Sequence, residues 1–163
     1  MHFKQDGRFI YLSSEAVYGR SYSSDIHETE PASAKSFQAM ALLQGENICR
    51  SYRDTRGMDT RILRFDHMYG IPRKGKTDRN PCFWMTLEML KTNQIAANSR
   101  TVFSMIYQDD AVAFAYRAMM EESPKYPLYH ITSGEAITQM DLAELIRQNA
   151  DGVEIRDDTV GEV

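Results

Sequence analysis

An α/β fold built on a parallel sheet is what this sequence predicts, and three observations predict it. Phe9-Ile10-Tyr11-Leu12 is a short apolar run of aromatic and β-branched residues, the composition of a strand buried on both faces of a parallel sheet. Residues 34–57 then carry apolar side chains near helical spacing. Residues 59–65 (DTRILRF) return to strand composition, so strand, helix and strand follow one another. A chain of 163 residues, 42% apolar and 26% charged, can bury a real core as one globular domain.

The first strand stops at Ser13 and Ser14, and Gly19 closes the loop after it. Ligands of open α/β sheets bind at the carboxyl ends of the strands, which places Ser13–Gly19 where chemistry would be done. A serine-rich turn after a core strand explains this segment equally well when it is taken alone. Residues 20–33 form a polar loop containing His27, and a lone histidine in a solvated acidic loop is more often exposed than catalytic. In the helix 34–57, Ala34, Phe37, Ala41, Leu42, Ile48, Cys49 and Tyr52 make the stripe, Met40 and Leu43 widen it, and Gly57 is the stop. So broad a stripe implies burial against the sheet on one side and a second surface on the other.

Residues 71–80 (IPRKGKTDRN) make a basic loop whose Arg73, Lys74 and Lys76 could meet a diphosphate. A solvated lysine-rich loop is the somewhat commoner meaning of such a run. Residues 81–92 read as a helix opened by Pro81, with Phe83, Trp84, Leu87, Met89 and Leu90 as packing groups. Ile95–Ala97 and Val102–Tyr107 are short strands, and Asp109 or Asp110 suits the N-cap of a helix 110–121. A strand and turn at Tyr129–Glu135, a helix at Asp141–Ile146 and a last strand at 153–156 complete the chain, and the tail from Asp157 is expected to fray.

Composition excludes several classes. The formal charge of −4 leaves no electrostatic footprint for nucleic acid. No apolar run approaches the roughly 18 residues of a membrane span, and no signal-peptide apolar region opens the chain. Cys49 and Cys82 make neither a metal cluster nor a disulfide framework, so no metal is expected. The compartment these features suggest is the cytoplasm.

Ser13-Ser14-Glu15-Ala16-Val17-Tyr18-Gly19 resembles the Ser-Ser-x-x-Val-Tyr-Gly signature of extended short-chain dehydrogenase/reductases, the NAD(P)-dependent nucleotide-sugar epimerases and dehydratases. Later segments repeat the resemblance in family order. His27-Glu28-Thr29-Glu30-Pro31 is similar to an acidic step into the next helix, and Ile62-Leu63-Arg64 through Tyr69-Gly70 resembles "I-L-R-x-x-N-V-Y-G". Phe103 to Ala111 resembles "R-D-F-I-Y-V-D-D-V", and Tyr129 to Glu135 resembles "Y-N-I-G-S-G-E", a strand and turn of the small substrate domain.

The resemblance implies a partial Rossmann-like fold, with about residues 1–70 as a Rossmann half and about 71–163 as substrate-domain elements and remaining strands. The chain would begin at the family's fourth strand, its N-terminal strands and Gly-x-x-Gly-x-x-Gly turn being absent. NAD or NADP is the implied cofactor and a nucleotide sugar the implied partner. Ser14 falls where the family orients the sugar hydroxyl that is oxidised, and Glu15 where related dehydratases place an acid. Ser13, Gln38 and Leu42 fall at cofactor-side positions, and His67, Arg73 and Lys74 at substrate-side positions. The family's Tyr-x-x-x-Lys is replaced by Gln38 and Leu42, which neither titrate nor carry charge. The arginine that holds a substrate phosphate is replaced by Phe103. These losses imply weak or no activity in isolation, or a non-catalytic binding or oligomerisation module of the same ancestry. A homodimer or larger oligomer through helix 34–57 or the strand edge is expected.

Overall fold

A computed structural model describes residues 7–19, 26–71 and 80–158. The described residues divide into two compact units, one taking 7–19, 26–66 and 106–132, the other 67–71, 80–105 and 133–158.

The first unit is a three-stranded sheet in the order β1 (Arg8–Ser14), β2 (Asp59–Phe65) and β6 (Leu128–Ile131). Both pairings are parallel, and the register sets Ser13 beside Arg64 and Arg64 beside His130. Side chains alternate across a sheet, so each strand serves two faces. On one face Leu63, Phe65 and Ile131 form a core with Ile106 and with Ala111 of α3 (Gln108–Met120). On the other face α1 (Phe37–Arg56) packs against β1 and β2. There the Thr60 hydroxyl donates to the Cys49 carbonyl at 2.9 Å. Gly45 is where α1 comes closest to β1: a Cβ there would sit 2.1 Å from the Tyr11 hydroxyl oxygen.

The helix ends follow local chemistry. Ser36 caps α1 by accepting from the Ala39 N–H at 3.1 Å, and Gly57, at φ 65°, ends it in the left-handed conformation. α1 is therefore shorter than the 34–57 expected. A stripe of apolar residues marks the phase of a helix, while the capping serine marks its start.

The second unit holds β3 (His67–Tyr69), β5 (Val102–Tyr107) and β7 (Ala136–Thr138) in that order, β5 and β7 being antiparallel. It also holds the parallel pair β4 (Gln94–Ala97) and β8 (Glu154–Asp157). α2 (Pro81–Thr92) and α4 (Gln139–Arg147) close its core of Met85, Met89, Ile95, Ala97, Phe103, Leu142 and Ala143. Asn80 caps α2 ahead of Pro81, and Thr138 and Asp141 form a reciprocal capping box on α4.

Three sequence expectations are corrected. β1 is not covered on both faces: it edges the three-stranded sheet, and Phe9 and Leu12 are 50% and 58% exposed. The strand at Tyr129 lies beside β2 in the parallel sheet of the first unit, because Tyr129 and Ile131 alternate in phase with Leu63 and Phe65. Neither Asp109 nor Asp110 caps α3. That helix starts earlier, after Tyr107, which makes no side-chain cap, and both acids sit in its first turn, where the helix dipole favours negative charge.

Candidate functional site

At the carboxyl end of β1 the backbone turns through a short 3-10 segment, Glu15–Tyr18, capped by Ser14. The Ser14 hydroxyl accepts from the Ala16 N–H at 3.2 Å and donates to the Glu15 carboxylate. Both residues are half-buried. Gly19 ends the turn at φ 69°, and a Cβ there would lie 1.7 Å from the Ser33 carbonyl oxygen. Only glycine satisfies both the backbone angle and that approach.

Ser13, one residue earlier, points the other way, as strand alternation requires. Its hydroxyl is buried and donates to Glu46 Oε1 at 2.7 Å. Glu46, on α1, is fully buried. It accepts from Arg64 Nε at 2.9 Å and from Arg64 Nη2 at 2.6 Å, a two-pronged contact, and from Arg50 at 3.2 Å. The Arg64 guanidinium also lies over the Tyr18 ring, 4.6 Å from its centroid. The His130 ring also neighbours Tyr18, 5.8 Å between centroids, and His130 Nε2 is 2.6 Å from Asp66 Oδ1. The row Ser13, Arg64, His130 thus crosses all three parallel strands near their carboxyl ends on the face toward α1.

Titration follows from this packing. Burial pushes the Tyr18 phenol up, and Arg64 opposes it only in part. Burial works against the charged form of His130, but the bond and charge of Asp66, with Glu28 and Glu15, outweigh it and raise its pKa.

The candidate residues are distributed as follows. Ser13, Ser14 and Glu15 are contiguous on the strand end and its turn, and α1 packs against that turn. Gln38 is exposed in the first turn of α1, and Leu42 is half-buried one turn on. His67 opens β3 in the second unit, half-buried, with its ring 5.8 Å from that of Phe103. Phe103 is itself 4% exposed, a core residue in the position expected of a phosphate-holding arginine. Arg73 and Lys74, with Lys76, lie outside the described residues.

Sequence reasoning missed Glu46, Arg64, Asp66 and His130 as a group. A signal existed: Glu46 falls on the buried phase of a helix and Arg64 within the apolar end, Ile62–Phe65, of a strand. Charges in such positions are rarely unpaired.

The residues at the cofactor-side positions do not fit a dinucleotide. Leu42 offers no charge to a ribose, Gln38 cannot titrate, and the Ser13 hydroxyl is committed to Glu46.

A parallel sheet flanked by helices, with a serine turn at the carboxyl end of its first strand, defines a Rossmann-like α/β protein. The chain belongs to the NAD dependent epimerase/dehydratase family, whose model matches residues 1–132. It is 25% identical over 147 residues to the low-salt glycan biosynthesis protein Agl12 of Haloferax volcanii, covering 90% of this chain and 47% of the relative. It is 25% identical over 143 residues to a dTDP-glucose 4,6-dehydratase of Actinoplanes sp., covering 86% and 43%. In fold it resembles the UDP-glucuronic acid 4-epimerase from Bacillus cereus, solved with UDP-glucuronic acid and NAD. That TM-score is 0.79 at 20% identity, over 99% of this chain and 52% of the other. The dTDP-glucose 4,6-dehydratase from Bacillus anthracis, solved with NAD, gives 0.76 at 15% identity, over 92% and 49%. The chain spans about half the length of these relatives. Among the described residues no helix is long and apolar enough to cross a membrane.

Proposed function

We propose that this chain handles the sugar end of a nucleotide-sugar substrate, as a diverged cytoplasmic member of the epimerase/dehydratase family with weak turnover or none by itself. The observation that carries this reading is the Ser14–Glu15 pair at the carboxyl end of β1, capped, half-exposed and braced by α1. Ser14 orients a sugar hydroxyl by hydrogen bonding. Glu15, already its partner, takes or gives a proton across that hydroxyl. His67, Arg73 and Lys74 remain candidates for substrate contact by their sequence positions alone, Arg73 and Lys74 as charge for a diphosphate.

The family's whole reaction also needs NAD or NADP, and there the reading is restrictive. A dinucleotide is anchored mainly by its pyrophosphate at a glycine-rich turn on a helix N-terminus, and no Gly-x-x-Gly-x-x-Gly occurs in this sequence. The chain binds NAD and NADP no more tightly than about millimolar. A calorimetric titration giving low-micromolar affinity would overturn that statement.

A second reading, a non-catalytic binding or oligomerisation module, draws support from Gln38 and Leu42. A binding module would use the same sugar site without turnover, and an oligomerisation module would leave it unused. Amide shifts of Ser14 and Glu15 on titration with a UDP-hexose test the site. Both should move at millimolar ligand, and Ser14→Ala should weaken the effect. If neither amide moves, the sugar site is elsewhere or absent.

A further inference from the structure

The row Ser13, Arg64, His130 is embedded in charge. Three carboxylates belong to it, Glu28, Glu46 and Asp66, and two guanidiniums, Arg50 and Arg64. A charge on His130 would offset that of Asp66, which is buried against it. The Asp66 side chain is fully buried and that of His130 only 7% exposed.

His130 is also where a separate segment is fastened. The Glu28 carboxylate accepts the His130 backbone N–H at 3.0 Å. The segment containing Glu28 is tied at two further points to the turn after β1. The Ser33 N–H donates to the Val17 carbonyl at 2.8 Å, and the Tyr18 hydroxyl donates to the His27 carbonyl at 3.4 Å. Residues 26–33 therefore reach from the serine turn of β1 to the edge of β6.

We propose that residues 26–33 are a strap over the carboxyl ends of the parallel strands, latched while His130 is an imidazolium and loosened when it is neutral. The imidazolium faces Asp66 from the end of β2, Glu28 from the strap and Glu15 from the 3-10 turn. The Tyr18 ring lies near both His130 and Arg64, and Arg64 is the cation beside His130 in the register, held by Glu46 of α1. His27, next to Glu28 on the strap itself, acts on that carboxylate electrostatically. When His130 loses its proton, Asp66, Glu28 and Glu15 are left without the cation between them. The Glu28 bond to the backbone N–H persists in form but no longer has the ring's charge behind it.

The sign follows from the directions of titration. The folded pKa of His130 is raised above its ordinary 6.5, so the latch is complete below that value and is lost as pH rises through the raised one. Burial pushes the Glu28 carboxyl up, but the His130 N–H and the charges of His130 and His27 outweigh it and hold it below its ordinary 4.5. Glu28 stays ionised throughout the window in which His130 titrates. Each unit between the latched and loosened pKa values of His130 is worth about tenfold in the closing equilibrium.

Amide exchange on the full chain between about pH 6 and 9, a range that brackets an ordinary and a raised histidine, tests this. Intrinsic rates are divided out, and the His130 ring is followed by NMR in the same samples. Protection at Ser33 and His130 should fall together, with the midpoint of the ring titration, while protection at Leu63 in the sheet holds. Glu28→Gln should flatten the pH dependence at Ser33 yet leave the ring titrating above its ordinary value, because Asp66 remains. Constant Ser33 protection while the ring titrates would overturn the proposal. So would a ring titrating at or below its ordinary value, or a parallel loss at Leu63, which would mean global opening. The unmodified chain decides the matter even if the variant does not fold.

Discussion

At the scale of single residues, the Glu46–Arg64 pair sets the terms for the site. Both side chains are almost wholly buried, at 0% and 1% exposed, so removing Glu46 takes from Arg64 its carboxylate partner, and removing Arg64 leaves Glu46 only the longer Arg50 contact and Ser13. Burying two charges is costly, and a well-packed apolar pair in their place is often as stable. Their consequence here is positional: Glu46 bonds Ser13, and Ser13 precedes the capping Ser14. Glu46→Ala or Arg64→Ala should each lower stability by about 3–5 kcal/mol, the usual cost of leaving a buried charge unpaired. Replacing both by methionine should recover most of that loss. Urea unfolding midpoints measure all three, and single variants within about 0.5 kcal/mol of the unmodified chain, the range of ordinary surface changes, would show that the pair is solvated.

At the scale of elements, the contact between α1 and β1 turns on Gly45. A Cβ there would meet the Tyr11 hydroxyl oxygen at 2.1 Å and its Cζ at 2.3 Å, so the ring must shift away from α1 to admit it. Gly45→Ala should therefore destabilise by about 1–3 kcal/mol through overpacking, against the roughly 1 kcal/mol by which alanine normally favours a helix. Adding Tyr11→Leu should restore stability, and thermal melts of the two variants check both statements. If alanine alone raises the melting temperature, α1 does not approach β1 this closely. The same element shows what the sequence could and could not reveal. Phe9–Leu12 and 59–65 were legible as strands because their composition is local, and 81–92 because Pro81 and the apolar phase mark it. The pairing of Tyr129 with Leu63 was not legible, since it joins residues far apart in the chain and nothing local states which sheet a short strand enters. Ser14 and Glu15 stand out in the sequence by their motif alone. The Glu46–Arg64–His130 layer does not, because its members come from three elements and meet only after the parallel register is set.

At the scale of the whole molecule, the outward face of α1 argues for association. Phe37 is 93% exposed, and Met40, Ile48 and Tyr52 are each about half exposed. At 100° per residue these four fall within an arc of about 120°, one continuous stripe rather than scattered surface residues. Ala41, exposed on the same arc, lets a second helix approach closely. Isolated apolar side chains on a surface need no explanation, but a contiguous patch on a helix face marks a contact. A standard interface removes about 1,600 Å² in total, and apolar burial contributes roughly 25 cal/mol per Å². Lost translational and rotational freedom offsets several kcal/mol of that. We therefore predict a homodimer or larger oligomer in solution with α1 at the contact, its inner face already used by Glu46, Ala39 and Cys49 in binding the sheet. Met40→Glu or Ile48→Glu places a charge in the stripe without touching that inner face. Either should produce a folded monomer, seen as a halved mass in sedimentation with an unchanged circular-dichroism spectrum. A chain that already sediments as a monomer at micromolar concentration, indifferent to both substitutions, would show that the stripe stays bare.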